Sequence, residues 1–357
     1  MGESMKIERI DVRRYDLSLK EPFRIALGTM TSSSNILVKI FSEEHFGIGE
    51  GSPTLMITGD NQEGCLSFIE SISPLLIGEE LNLEVLYEKI NSFRGMPAAK
   101  AALDIALYDL IGKQQSKPVY KLLGGYREKI ETDITIGIDT PEEVRKKALE
   151  AISRGYRILK IKVEGDVERD FKRIEAISDL EVRIRIDANQ GFTPKTAVRF
   201  IRRVREFDVE FIEQPVPYWD IDGLRYVKER SDIPIIADES VHSARDALNV
   251  VKCDAVDGIN IKLMKCGGIS DAVRIVHIAE SAGIPCMVGC MLESRISLTA
   301  AAHLALAFKN IKYVDLDSHL FLKEDPVVGG MEIVEGMMTL PEKPGLGIAE
   351  LNMGEKH

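Results

Sequence analysis

Six charged residues stand at or near the ends of apolar runs: Lys160 and Lys162, then Asp187, Glu213, Asp238 and Lys262. Read alone, Ile158-Leu159-Lys160-Ile161-Lys162-Val163 favours an antiparallel strand with a solvated lysine face, because side chains alternate along a strand. The residues downstream reverse that reading. Lys160, Asp187, Glu213, Asp238 and Lys262 succeed one another at intervals of 24 to 27 residues, one strand-and-helix unit apiece, so the spacing gathers them on one rim. Alternation sends Val182, Ile184 and Ile186 toward flanking helices and leaves Asp187 facing inward, and Ile261 does the same for Lys262. Three carboxylates without thiols or paired histidines suit a hard cation such as Mg2+, one per subunit, which binds through a few carboxylates and leaves positions for substrate oxygens.

Eight short apolar runs carry these residues: Ile134–Gly137, Ile158–Val163, Val182–Asp187, Val209–Glu213, Ile235–Asp238, Gly258–Lys262, Cys286–Cys290 and Tyr313–Asp317. Helical stretches separate them, which predicts an α/β fold, a (β/α)8 TIM-type barrel. An open doubly wound sheet would show a phosphate-binding glycine turn after its first strand, where this chain has Gly137-Ile138-Asp139-Thr140-Pro141. Upstream, Ile7–Leu17, Ser34–Phe41 and Gly47–Gly51 alternate like a small antiparallel meander, and Pro22–Ser34 reads as a mobile loop rich in small polar residues. Helical periodicity follows from about Asp60 to Gly112, and Ala98–Leu110 reads as an amphipathic helix with small residues for close packing. The expected division is an α+β capping domain over 1–127, the barrel over 128–322, and a segment over 323–357 whose strand-like pieces around Met331–Leu340 return to the N-terminal meander.

Composition narrows the partners. Lys and Arg number 46 against 57 Asp and Glu, a net charge of -11, which argues against a nucleic-acid or anionic-membrane partner. Five cysteines, odd in number and without a C-x-x-C pair, read as buried thiols of a reducing compartment, with Cys286 and Cys290 packing in an apolar strand. No apolar run approaches membrane-spanning length, and Met1–Lys6 has neither a signal-peptide core nor a myristoylation signal, so the expected location is the cytoplasm. His242, His277 and His303 sit on predicted helices or loops without a partnering Asp or Ser and are expected to be surface or satisfied core histidines.

In this order, Lys160-Ile161-Lys162, Asp187-Ala188-Asn189, Glu213-Gln214-Pro215, Asp238-Glu239-Ser240 and Asn260-Ile261-Lys262 resemble the enolase superfamily, in its muconate-lactonizing-enzyme branch. The resemblance implies that Asp187, Glu213 and Asp238 hold Mg2+ and that Lys162 and Lys262 flank the substrate carbon on opposite faces, with Lys160 adding positive charge nearby. Removing a proton alpha to a carboxylate produces an enediolate, whose oxygens a divalent cation stabilises. Lysines on both faces suit epimerisation, though o-succinylbenzoate synthase and muconate-type cycloisomerase share the same core.

Asp315-Leu316-Asp317 resembles the D-x-D of the dipeptide epimerases, of the L-Ala-D/L-Glu epimerase type, where the pair binds the substrate's free α-ammonium. Thr54–Asp60, Lys262–Lys265 and Met287–Met291 add to that likeness. The implied partner is therefore a small dipeptide, whose C-terminal residue is inverted, with Thr135, Arg24, Gly28 and Met291 as further expected substrate contacts and self-association left open. One position departs from the pattern. Glutamate-selective members carry an arginine in the loop corresponding to Ala26-Leu27-Gly28-Thr29, and here Gly28 provides none, so a neutral or apolar second residue, or a broad specificity, is expected unless Arg24 substitutes.

Overall fold

A computed structural model describes residues 5–26 and 28–352. Met1–Ser4 and Leu27, on which parts of the leader and loop readings rest, lie outside the described residues, as do residues 353–357. The first three strands, β1 (Arg9–Ile25), β2 (Gly28–Ser42) and β3 (His45–Gly51), form an antiparallel meander in the order β1-β2-β3. Both of the first two are longer than sequence alternation predicts. Phe23, Arg24 and Ile25 pair with Met30, Thr29 and Gly28 beyond a register shift, so Pro22–Ser34 is the tip of a β-hairpin and not an irregular loop. The serines that suggest a loop lie opposite Asp16, Leu17 and Ser18 and complete the ladder.

Helix Pro97–Gln114 packs across this sheet and is buried on every face from Ala98 to Gly112, so it is not the one-sided amphipathic helix expected. Close approach depends on small residues from both partners: a Cβ on Gly47 or Gly49 would collide with the carbonyl oxygen of Ala106 or Ala102. The helix tolerates its buried acids because they serve neighbouring elements. Asp104 accepts from the Ser270 amide and hydroxyl at 3.0 and 2.5 Å, and Asp109 accepts from the amides of Ile48 and Leu346 at 2.9 and 2.8 Å.

After a short strand β4 (Lys129–Glu131), the barrel strands follow in sequence order: β5 (Ile134–Ile136), β6 (Ile158–Lys162), β7 (Arg183–Asp187), β8 (Val209–Glu213), β9 (Ile235–Ala237), β10 (Gly258–Ile261), β11 (Cys286–Val288) and β12 (Ile311–Val314). Each pairs in parallel with the next. β12 and β5 meet at a seam of separate hydrogen bonds, Asp133 N–H to Val314 O at 3.3 Å and Thr135 N–H to Asp317 Oδ2 at 2.5 Å. Six of the helices that follow the strands start at polar caps: Thr140, Asp166, Thr193, Asp220, Ser243 and Ser294 each accept from a backbone amide in the first turn, worth about 1 kcal/mol apiece.

The last strands, β13 (Val327–Gly329), β14 (Glu332–Val334), β15 (Met337–Thr339) and β16 (Ile348–Leu351), depart from expectation. β14 and β15 form a hairpin on β4, not an extension of the N-terminal meander, and β13 pairs with β16. Contact with the N-terminal layer comes at the start of the segment, where Lys323 N–H donates to Ser18 O on β1 at 2.8 Å, and again later. Gly345 accepts from Val119 N–H at 3.0 Å, and Leu346 donates to Asp109.

Candidate active site

Register builds the charged rim. Lys162 pairs with Asp187 and Asp187 with Glu213 across β6, β7 and β8, which sets these three residues side by side where the strands end. Asp238 follows the end of β9, and Lys262 the end of β10. One carboxylate oxygen from each of Asp187, Glu213 and Asp238 lies within 4.8 Å of the others, and all three residues are buried.

Three buried carboxylates this close require compensating charge. Lys162 Nζ lies 2.5 Å from Asp187 Oδ2, Lys262 Nζ 2.7 Å from Asp238 Oδ2, and Lys160 Nζ 3.2 Å from Asp187 Oδ2 and 2.7 Å from Glu213 Oε2. Burial would raise Asp238, but Lys262 and Lys265 outweigh it and hold the carboxyl well below the usual range. Burial and the neighbouring Asp187 push Glu213 up to about 8. Burial alone would lower Lys262, yet Asp238 and Glu213 hold its ammonium above the ordinary lysine value.

The donor set fits Mg2+. It is all carboxylate oxygen, Glu213 Oε2 is buried beside the Lys160 ammonium but makes no well-directed hydrogen bond, and the surrounding groups hold the donors in place. Asn260 Nδ2 donates to Glu213 Oε1 at 2.7 Å, Asn189 N–H donates to Asp187 Oδ1 at 3.0 Å, and Lys265 Nζ lies 2.6 Å from Asp238 Oδ1.

A cavity opens beside this cluster between the barrel rim and the capping layer. Lys162 and Lys262 line it together with Asp315, Asp317, Thr135, Gly28 and Met291. Since β6 and β10 stand four strands apart in an eight-strand ring, their lysines approach the cavity from opposed sides. Asp315 and Asp317 lie just past the end of β12, which stops at Val314 and not at Asp317 as expected. Both are buried. Lys160 Nζ lies 2.7 Å from Asp315 Oδ2, and Thr135 donates its hydroxyl to Asp315 Oδ1 at 3.3 Å and its amide to Asp317. Lys160, overcoming the effect of burial, lowers Asp315, whereas burial and the adjacent Asp315 push Asp317 up to about 7.

Arg24 is not brought to the cavity. Strand alternation turns its neighbours Phe23 and Ile25 inward, so Arg24 points to a separate depression where its Nη2 lies 3.4 Å from Glu164 Oε2. Cys286 is buried in β11, and Cys290, past the strand end, packs against the core as expected but also lines the cavity, close to Asp315 and Asp317. His303 is buried, its Nδ1 accepting from Tyr120 N–H at 2.9 Å.

Sequence reasoning assigned no role to the apolar half of the cavity, which comes from Phe23, Ile25, Met30, Met56, Ile57, Leu292 and Phe321. Phe23 stacks on Phe321 with ring centroids 5.0 Å apart. Lys265 was also missed as a functional group, although its place three residues after Lys262, in the helical turn Leu263–Cys266, is a signal of its position.

Residues 143–352 match the model described as enolase C-terminal domain-like, and residues 9–124 match the mandelate racemase / muconate lactonizing enzyme N-terminal domain. A hydrophobic dipeptide epimerase from Enterococcus faecalis is 46% identical, with 97% of this chain and all 100% of that protein covered. The solved structure of a substrate-liganded L-Ala-D/L-Glu epimerase from Bacillus subtilis superposes with a TM-score of 0.95 at 41% identity, covering 97% of this chain and 99% of that one. The Enterococcus faecalis dipeptide epimerase complexed with Mg and L-Leu-L-Tyr superposes with a TM-score of 0.94 at 46% identity over 97% of this chain and 100% of that one.

Proposed function

Because the chain belongs to the mandelate racemase / muconate lactonizing enzyme family of the enolase superfamily, we propose that it is a dipeptide epimerase that inverts the α-carbon of the C-terminal residue. The observation that carries this reading is the pair Lys162 and Lys262, on opposed sides of one cavity that also holds Asp315 and Asp317. One lysine, as free amine, takes the α-proton. The other, as ammonium, returns a proton to the opposite face of the resulting enediolate, so the carbon is inverted and the two lysines exchange protonation states. Mg2+ held by Asp187, Glu213 and Asp238 would supply positive charge that offsets their pull on the lysines and stabilises the charge developing on the substrate carboxylate.

Asp315 and Asp317 suit the free α-ammonium at the dipeptide's N-terminus, a charge-assisted contact in a site shielded from water. An amine-less muconate or succinylbenzoate brings no cation to them. Phe23, Ile25, Met30, Ile57 and Phe321 surround the remaining space with apolar surface, and a Cβ at Gly28 would meet none of the described residues within 4 Å beyond its chain neighbours, which favours an apolar side chain on the dipeptide. The test is incubation with Mg2+ and a dipeptide library in D2O, followed by mass spectrometry. Deuterium uptake at the α-carbon is expected for dipeptides ending in apolar residues, and absence of uptake from every dipeptide would remove the epimerase reading.

A further inference from the structure

The wall of the cavity at Met291 and Leu292 is tied to the capping sheet by two buried carboxyls that the proton transfer does not use. Leu292 O accepts from Asn35 Nδ2 and Ser52 Oγ, each at 3.0 Å. Glu50, on β3, accepts from Asn35 Nδ2 at 2.8 Å, Ser294 N–H at 3.0 Å and Ser294 Oγ at 2.7 Å, and its Oε2 lies 3.0 Å from Ser297 Oγ. Glu293, in the wall itself, accepts from Met291 N–H on Oε1 at 2.6 Å, while its Oε2 lies 2.5 Å from the same Ser297 Oγ. Both carboxyls are buried.

Proton counting decides the state of this pair. Ser297 Oγ has one hydroxyl proton and faces two carboxyl oxygens, so it can donate to only one of them, and the other contact needs a proton from the carboxyl. Glu50 is supplied with donors on both oxygens, whereas Glu293 Oε2 has Ser297 as its single polar partner among the described residues. We infer that Glu293 is a neutral carboxylic acid donating to Ser297, which donates in turn to ionised Glu50, and that this relay positions Met291 and Leu292 as the wall of the substrate cavity. Two adjacent buried charges would otherwise repel where little water screens them. Burial pushes both carboxyls up, but at Glu50 the Ser294 amide and hydroxyl, Asn35 and the Ser297 amide oppose it, whereas at Glu293 the charge of Glu50 adds to it and the group reaches about 7, in keeping with a retained proton. Glu293 and Glu50 are positioning residues, since they act through the wall, and the term substrate cavity rests on the proposed function above.

Glutamine mimics a protonated glutamic acid, with an N–H to give and a carbonyl to accept, but not an ionised one. The relay therefore predicts an asymmetry between the two sites. With Mg2+ and a dipeptide that the wild type exchanges, Glu293→Ala should raise KM about tenfold with a smaller change in kcat, and Glu293→Gln should recover most of that loss. At position 50 glutamine should be nearly as damaging as alanine, because it turns an N–H toward donors. Recovery at position 50 but not at 293, or equal recovery at both, overturns the assignment. Infrared difference spectra at about pH 6 give a readout that needs neither substrate nor a folded Glu50 variant. The wild-type minus Glu293→Gln difference spectrum is expected to contain one protonated-carboxyl band, the contributions of Glu213 and Asp317 being common to both proteins; a difference spectrum without that band overturns the relay without touching the epimerase reading.

Discussion

The floor and the apolar wall of the cavity are built differently. On the floor, Lys162 and Lys262 each lie within 2.7 Å of a carboxylate, and Asp315 lies 2.7 Å from Lys160. The wall offers Phe23, Ile25, Met30, Ile57 and Phe321, held mainly by packing between the capping hairpin and the turn Ser318–Phe321. Floor groups come from the ends of parallel strands, where register allows little freedom. Wall groups come from a hairpin tip, the turn after β3 that carries Ile57 and the turn Ser318–Phe321, where side chains of different size can be exchanged without disturbing the barrel. The contrast separates reaction from selectivity: the floor should set whether any dipeptide reacts, and the wall which one reacts best.

The largest effect should come from Lys162→Ala or Lys262→Ala. Each should cost about 10²–10⁴-fold in α-deuterium exchange, for every dipeptide alike. A lysine variant that loses activity on one dipeptide and keeps it on another would break the comparison. Asp317→Asn is expected next. It removes a charge from the ammonium contact and should raise KM by about ten- to a hundredfold, while acylation of the dipeptide's α-amine should make the two proteins nearly equal. If the variant and wild type still differ on acylated substrate, Asp317 does not bind the amine.

Gly28→Arg should have the smallest effect and should act on ranking. Space around Gly28 is open, so a guanidinium can reach an anionic side chain, and uptake by L-Ala-L-Glu relative to an apolar dipeptide should rise by about tenfold. Its φ of +149° lies outside the range most L residues adopt, so Gly28→Ala serves as the control for backbone strain. No relative gain for L-Ala-L-Glu beyond that control would end the Gly28 account of selectivity.

This contrast also explains what could be read from the chain. Asp187, Glu213 and Asp238 were legible because a strand repeats every two residues and a strand-and-helix unit recurs at nearly constant length, so type and spacing alone placed them on one rim. The wall obeys no such period. Pro22 and the serines through Ser34 look like a loop, yet their cross-strand partners are supplied by Asp16–Ser18, and only the paired structure shows that Arg24 faces away while Phe23 and Ile25 face in. Glu50 and Glu293 were unreadable for another reason. Their meaning depends on one hydroxyl shared across 247 positions of sequence.

The seam between β5 and β12 carries a mechanical consequence. Elsewhere around the ring neighbouring strands are joined by paired backbone ladders, but here Thr135 N–H is secured by the side chain of Asp317, one of the two carboxylates assigned to the substrate amine. On the proposed function, the same carboxylate latches the barrel and meets the ligand. A bound ammonium and the latch draw on one carboxylate, so filling the pocket and tightening the closure of the ring are not independent events.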